Sequence, residues 1–143
     1  MTDALAPPPG FVESKTRGAF TTHNGPLYHK IEGDVFWHGF RALPRHCNGV
    51  GIVHGGWLSS FADGVLATAV WRATETRSVT LRLNVDFLGM VRPGEWVEGT
   101  ASVTRATRAL AFARAEVRCA GRQVLSAEGV FKLMSGSGSK ATK

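Results

Sequence analysis

Residues 57–71 (WLSSFADGVLATAVW) constrain the fold of this 143-residue chain more than any other segment, because ten of the fifteen are apolar and only Asp63 is charged. A helix that is apolar nearly all round is one enclosed by other structure. At about 1.5 Å per residue the segment reaches only about 22 Å, too short to cross a bilayer. The stretch from Gly55 to about Thr74 is therefore expected to be a buried core helix, wrapped by the rest of the chain.

The wrapping is written in the second half as alternation with period two, the mark of strands with one buried face. Val79, Leu81, Leu83, Val85 and Phe87 alternate with Thr80, Arg82, Asn84 and Asp86. Val97, Gly99, Ala101 and Val103 form a second such row, Ala111, Ala113, Ala115, Val117 and Cys119 a third, and a fourth strand is expected from about Gln123 to Met134. Links as short as Arg92-Pro93-Gly94 and Ala120-Gly121-Arg122 leave no room for crossover helices, so the sheet is expected to be antiparallel. The alanine row calls for something bulky at close range, which the helix supplies. Pro26–Pro44 reads as one or two further strands with a turn at Glu32-Gly33-Asp34. The expected class is α+β, one long helix wrapped by five or six antiparallel strands.

The ends differ in composition. Residues 1–10, with Pro7-Pro8-Pro9-Gly10, read as a flexible leader, and 135–143 (SGSGSKATK) as a flexible Gly/Ser tail, leaving 11–134 as the single folded domain. Cys47 and Cys119 make no disulfide framework, and MTDALAPPPG lacks a basic-then-apolar leader, so a reducing, cytoplasmic setting is expected. The net charge of +6 lies wholly in the second half: residues 1–71 carry five basic and five acidic side chains, residues 72–143 twelve and six. Dispersed single cations without a Lys/Arg run argue against nucleic acid and leave an anionic small molecule or a solvated surface.

Candidate chemistry starts at Asp63. A carboxylate inside an apolar helix needs partners or a task, since unpaired burial of charge is costly. Helical spacing brings Gly56, Ser59, Ser60 and Ala67 to its side, so either a serine satisfies a structural Asp63 or the small polar stripe floors a channel. Upstream, His46-Cys47-Asn48-Gly49-Val50-Gly51-Ile52-Val53-His54-Gly55-Gly56 runs straight into the helix. Helix N-termini present free N–H groups, and glycine allows close approach, so Gly55 and Gly56 either hold an oxyanion or simply make a tight turn. A third glycine for a dinucleotide fingerprint is missing, no Cys-x-x-Cys or His-Glu-x-x-His spacing supports a metal, and no Gly-x-Ser-x-Gly elbow supports a serine hydrolase.

Asn48-x5-His54-Gly55-Gly56-x6-Asp63, followed by VTLRLNVDFLGMVRPGEWVEGTASV, resembles the hotdog-fold acyl-CoA thioesterases, in particular the PaaI-like group, over about residues 26–134. The resemblance implies a hotdog fold, a homodimer or homotetramer with sites at subunit interfaces, and hydrolysis of acyl-CoA without metal or bound cofactor, coenzyme A being part of the substrate. It implies Asp63 as general base or nucleophile, the Gly55 N–H, with Gly56, as the group polarising the thioester carbonyl, Asn48 as the residue placing substrate or water, and His54 as a holder of the turn. In the dimer, Asp63 of one chain would face Gly55 and Asn48 of the other. Ser60 and Thr68 are expected beside the substrate, with Phe87, Leu88 and Trp57 lining the acyl slot. Arg92, Arg105 and Arg108, each a solvated surface charge when read alone, lie at or beside strand ends where related proteins meet the nucleotide. No nucleic acid or membrane partner is implied. A hotdog hydratase or dehydratase and a non-enzymatic acyl-CoA-binding protein are the alternatives. Residues 11–28 match nothing in the resemblance.

Overall fold

A computed structural model describes residues 5–134; residues 1–4 of the expected leader and the whole expected tail, 135–143, lie outside them. Seven strands form one antiparallel sheet: β1 (Val12–Glu13), β2 (Tyr28–Glu32), β3 (Val35–Arg41), β4 (Ser78–Phe87), β5 (Trp96–Ala106), β6 (Leu110–Cys119) and β7 (Arg122–Leu133). They run in the order β1-β2-β3-β5-β6-β7-β4. A short helix α1 (Ala19–Asn24) precedes β2, and the long helix α2 (Gly55–Thr74) packs against β4, β5, β6 and β7. This is the hotdog arrangement: the expected turn at Gly33-Asp34 makes the Pro26–Pro44 region the hairpin β2–β3, giving six strands, and the seventh is β1, only two residues long.

Why α2 sits so close is visible in the strands beneath it. Ala111, Ala113, Ala115 and Val117 of β6 are at most 3% exposed. A Cβ added at Gly99 of β5 would stand 3.2 Å from the Phe61 ring. Small residues on the sheet thus admit the large ones of the helix, so Phe61, Leu66 and Phe131 interlock at 2% exposure or less. Burying side chains of this size contributes about 1.5–3 kcal/mol each.

Two expectations need correction. First, α2 is not enclosed all round. Its buried residues, Trp57, Leu58, Phe61, Ala62, Val65, Leu66 and Val70, follow a single face, while Ser59, Ser60, Asp63, Gly64, Ala67 and Thr68 on the other are only half-buried. The small apolar residues among them make the segment look uniformly buried in sequence. Second, the regular alternation of β4 breaks. The register against β7 slips between Thr80 and Arg82, leaving Leu81 as a bulge, so Val79 and Leu81 point outward at 49% and 56% exposure. The inward row becomes Thr80, Leu83, Val85 and Phe87, opposite Phe131, Gly129, Ala127 and Leu125. β4 is also a sheet edge, hydrogen-bonded to β7 alone among the described strands.

Candidate active site

The turn into α2 is held by its own polar groups. Asn48 Oδ1 accepts from the N–H groups of Val50 (2.9 Å) and Ile52 (3.3 Å), and the Asn48 N–H donates to the Ile52 carbonyl at 2.8 Å. Cys47 and Val53 bridge in antiparallel fashion, and the Val53 N–H donates to Val91, tying the loop to the segment after β4. His46 closes the back: its Nδ1 accepts from Leu43 N–H at 3.1 Å, Nε2 meets the Asn24 carbonyl at 2.6 Å, and its ring stacks on Trp57. Both nitrogens are thereby engaged. Burial, more than the Arg45 charge, lowers its pKa against the opposing pull of that carbonyl.

His54 is the N-cap of α2, and its Nδ1 accepts from the Gly56 N–H at 2.7 Å. This distinguishes the two glycines. The Gly56 N–H is already satisfied, whereas the Gly55 N–H has no partner among the described residues and sits at the positive end of the helix dipole. Phe87 borders that donor, since a Cβ on Gly55 would lie 3.3 Å from its ring. Phe87 and Leu88 are 53% and 55% exposed, so the rim of the turn is apolar.

Asp63 is half-buried rather than fully enclosed, and its partner is neither of the expected serines. Thr80 Oγ1 donates to Asp63 Oδ1 at 2.7 Å, while Ser60 donates to the Gly56 carbonyl of its own helix at 3.0 Å. The β4 bulge explains this, because it turns Thr80 from the outer face to the inner one. Bulges beside active sites commonly re-aim a side chain in this way. Asp63, Ser59, Ser60 and Trp57 help line a cavity of about 310 Å³, with Phe20, Leu27, Phe61 and Leu83 as apolar wall.

Two other side chains of that wall, Arg17 and His38, come from outside the expected motif. Arg17, just before α1, donates through Nη2 to His38 Nδ1 at 3.0 Å and through Nη1 to Thr68 Oγ1 at 3.4 Å. A guanidinium has no acceptor, so His38 Nδ1 must accept and the ring proton of neutral His38 resides on Nε2. Burial, then the Arg17 charge, then His29 push the His38 pKa down to about 3. Sequence reasoning missed Thr80 because the bulge leaves no trace in the alternation, and missed Arg17 and His38 because no spacing links them to the helix.

The structure does not gather all the expected residues. Asp63 lies eight residues beyond Gly55 on the helix, about 12 Å along the axis. One chain therefore cannot put both on the same carbonyl. Arg92 lies before the start of β5, while Arg105 and Arg108 lie at and beyond its far end; the nine residue steps from Trp96 to Arg105 span about 30 Å. Within one chain they flank opposite ends of the sheet.

The sequence pattern of the thioesterase superfamily matches residues 50–126, a little over half of the chain, from within the turn at Val50 through α2 and β4–β6 to the start of β7. The chain belongs to the thioesterase superfamily. This thioesterase is 42% identical over 91 residues to PA0474 of Pseudomonas aeruginosa, a protein whose name assigns it provisionally to the esterases, covering 62% of this chain and 68% of that one. Among solved structures it is similar to the conserved protein PA5202 of P. aeruginosa (26% identity, TM-score 0.74, covering 82% of this chain and 95% of that one). It is likewise similar to a point mutant of the phenylacetic acid degradation protein PaaI from Thermus thermophilus (25% identity, TM-score 0.70, covering 80% and 98%). The protein is accordingly a thioester hydrolase of the hotdog fold.

Proposed function

We propose that the substrate is an acyl-CoA, hydrolysed to the free acid and coenzyme A at a site made by two copies of the chain. The observation that carries this is the pairing of an unpartnered Gly55 N–H with a cavity-lining Asp63 about 12 Å further along the same helix. A helix-end donor stabilises the oxyanion of a tetrahedral intermediate, and a carboxylate supplies base or nucleophile. They act on one carbonyl only if the Asp63 of one chain meets the Gly55 of another. The half-exposed face of α2 and the unpaired, apolar edge of β4 support a two-fold assembly, dimer or tetramer, that covers both.

In that assembly Asp63, oriented by the Thr80 hydroxyl that donates to its Oδ1, takes a proton from water or attacks the thioester carbon itself. Asn48 keeps its side-chain N–H groups for substrate or water, since Oδ1 is committed to the loop. Phe87 and Trp57 border the acyl slot. Arg92 from one chain, or Arg105 and Arg108 from another, reach the nucleotide phosphates; the span of β5 rules out all three acting from one chain.

A hydratase on the same fold would pair a histidine with the acid. Here His54 lies nine residues from Asp63 and has Nδ1 bound to Gly56, which favours hydrolysis. The test is thiol release over a panel of acyl-CoAs with the enoyl double bond followed in parallel. Thiol release without hydration is expected; hydration without thiol release, or binding without either, contradicts the proposal.

A further inference from the structure

Arg17 is a cation for which hydrolysis as described has no use. It is half-buried, its guanidinium is occupied only by two neutral groups, His38 and Thr68, and no Asp or Glu oxygen lies within 4.0 Å of it among the described residues. His38 beside it is 2% exposed, and its proton-bearing Nε2 is buried without a hydrogen-bond partner. Buried donors are nearly always paired. A cation lacking its anion and a buried N–H lacking its acceptor, side by side in the wall of one cavity, call for an anionic acceptor supplied from outside the chain.

The cavity says where that acceptor belongs. Arg17, His38 and Asp63 line the same space together with the hydroxyls of Thr21, Ser59 and Ser60, and Phe20, Leu27, Phe61 and Leu83 form its apolar wall. Thr68, to which Arg17 is anchored, lies five residues beyond Asp63, about 7.5 Å along the helix. That separation suits the far end of a short acyl chain whose thioester carbon is at Asp63. It does not suit the phosphates of coenzyme A, which the pantetheine arm holds well away from the thioester.

We propose that Arg17 and His38 form an acyl-end subsite, and that the substrates are short dicarboxylic monothioesters of coenzyme A, with a free carboxylate at the far end of the acyl chain. The planar guanidinium fork matches a carboxylate with two parallel hydrogen bonds. Neutral His38 adds a donor without a second charge, and its ring, edge-on to Phe61 and beside Phe36, is held in place by packing. The apolar wall accommodates the methylenes between. Residues 11–28, unassigned by sequence, thus carry the specificity element: the segment that leads into α1 delivers Arg17, and Phe20 and Thr21 of α1 line the cavity beside it.

This rests on the acyl-CoA reading above, and a binding experiment separates the two. The full chain is titrated with non-hydrolysable thioether analogues of glutaryl-CoA and pentanoyl-CoA, matched in length and differing only in a terminal carboxylate against a terminal methyl. The wild type is expected to bind the carboxylate analogue at least ~10-fold more tightly, and Arg17→Met to bring that ratio to within ~2-fold of unity, with Arg17→Lys between. Because both analogues carry the same phosphates, an arginine that reads the coenzyme changes both affinities together and leaves the ratio untouched, which overturns the proposal. Equal wild-type affinities overturn it as well. Selective binding without thiol release from glutaryl-CoA upholds the subsite and refutes the hydrolase reading, whereas thiol release with no carboxylate preference does the reverse. Retained binding of the pentanoyl analogue by Arg17→Met reports that the variant is folded.

Discussion

The two faces of α2 are made from the same twenty residues and answer to different demands. On one, Phe61, Leu66 and Val70 are at most 2% exposed and lock into a sheet whose alanines and Gly99 leave room for them. On the other, Ser59, Ser60, Asp63, Gly64 and Thr68 remain half-open and line a cavity or face solvent. Large side chains face the sheet and define the fold; small ones and a single acid face outward, where a substrate and a second chain have to fit. A helix packed tightly on both sides would have no place for either.

The contrast predicts that substitutions on the first face act on stability and those on the second on turnover. The largest effect is expected for Phe61→Ala, which should destabilise the fold by about 3–5 kcal/mol, read by denaturant unfolding. A loss under about 1 kcal/mol would mean that the helix–sheet interface is not the main support. Next comes Asp63→Asn, expected to lower kcat at least ~10²-fold, equivalent to about 2.7 kcal/mol of barrier, with the melting temperature nearly unchanged. Destabilisation with kcat intact would return Asp63 to a structural role.

A third prediction concerns pH. His38 titrates near 3 in the fold and near 6.5 when unfolded. Across that window the unfolded chain binds more protons, so the stability contribution is full above about 6.5 and is lost as pH falls toward 3. Melting temperature against pH should fall over this range, and His38→Gln should flatten the fall; an unchanged slope would contradict the burial of a neutral ring. The smallest effects belong to the hydroxyls. Thr80→Val, removing the donor to Asp63, should reduce kcat by roughly 3- to 10-fold, while Ser60→Ala, whose hydroxyl serves its own helix, should change kcat less than ~2-fold.

Much of this contrast is legible in the sequence, and the parts that are not have physical reasons. The period of two in β5 and β6 and the length of the apolar helix are local properties, and they survive folding as predicted. The bulge at Leu81 depends on how β4 pairs with β7, which no local pattern records, so the alternation puts Thr80 on the wrong face and leaves Asp63 with the wrong partner. The turn Asn48–Gly56 is recognisable from its spacing, but which glycine keeps a free N–H depends on the His54 ring torsion. Arg17 lies 46 residues before Asp63, and only tertiary structure brings the two into one cavity.

The central claim is that each site combines Asp63 from one chain with Gly55 from another, and mixing two dead variants tests it. Gly55 is the first residue of α2, where proline is well tolerated, and His54 before it is extended at φ −63° and ψ 134°, as a pre-proline residue should be. Gly55→Pro therefore removes the donor from a helix that still forms. Asp63→Asn and Gly55→Pro chains, each inactive alone, are co-refolded in equal amounts and assayed for thiol release. Random pairing makes half of the dimers hybrid, each with one intact site of two, so recovery of about a quarter of wild-type activity is predicted. If both groups act from within one chain, no intact site can form, and the mixture stays as inactive as its components.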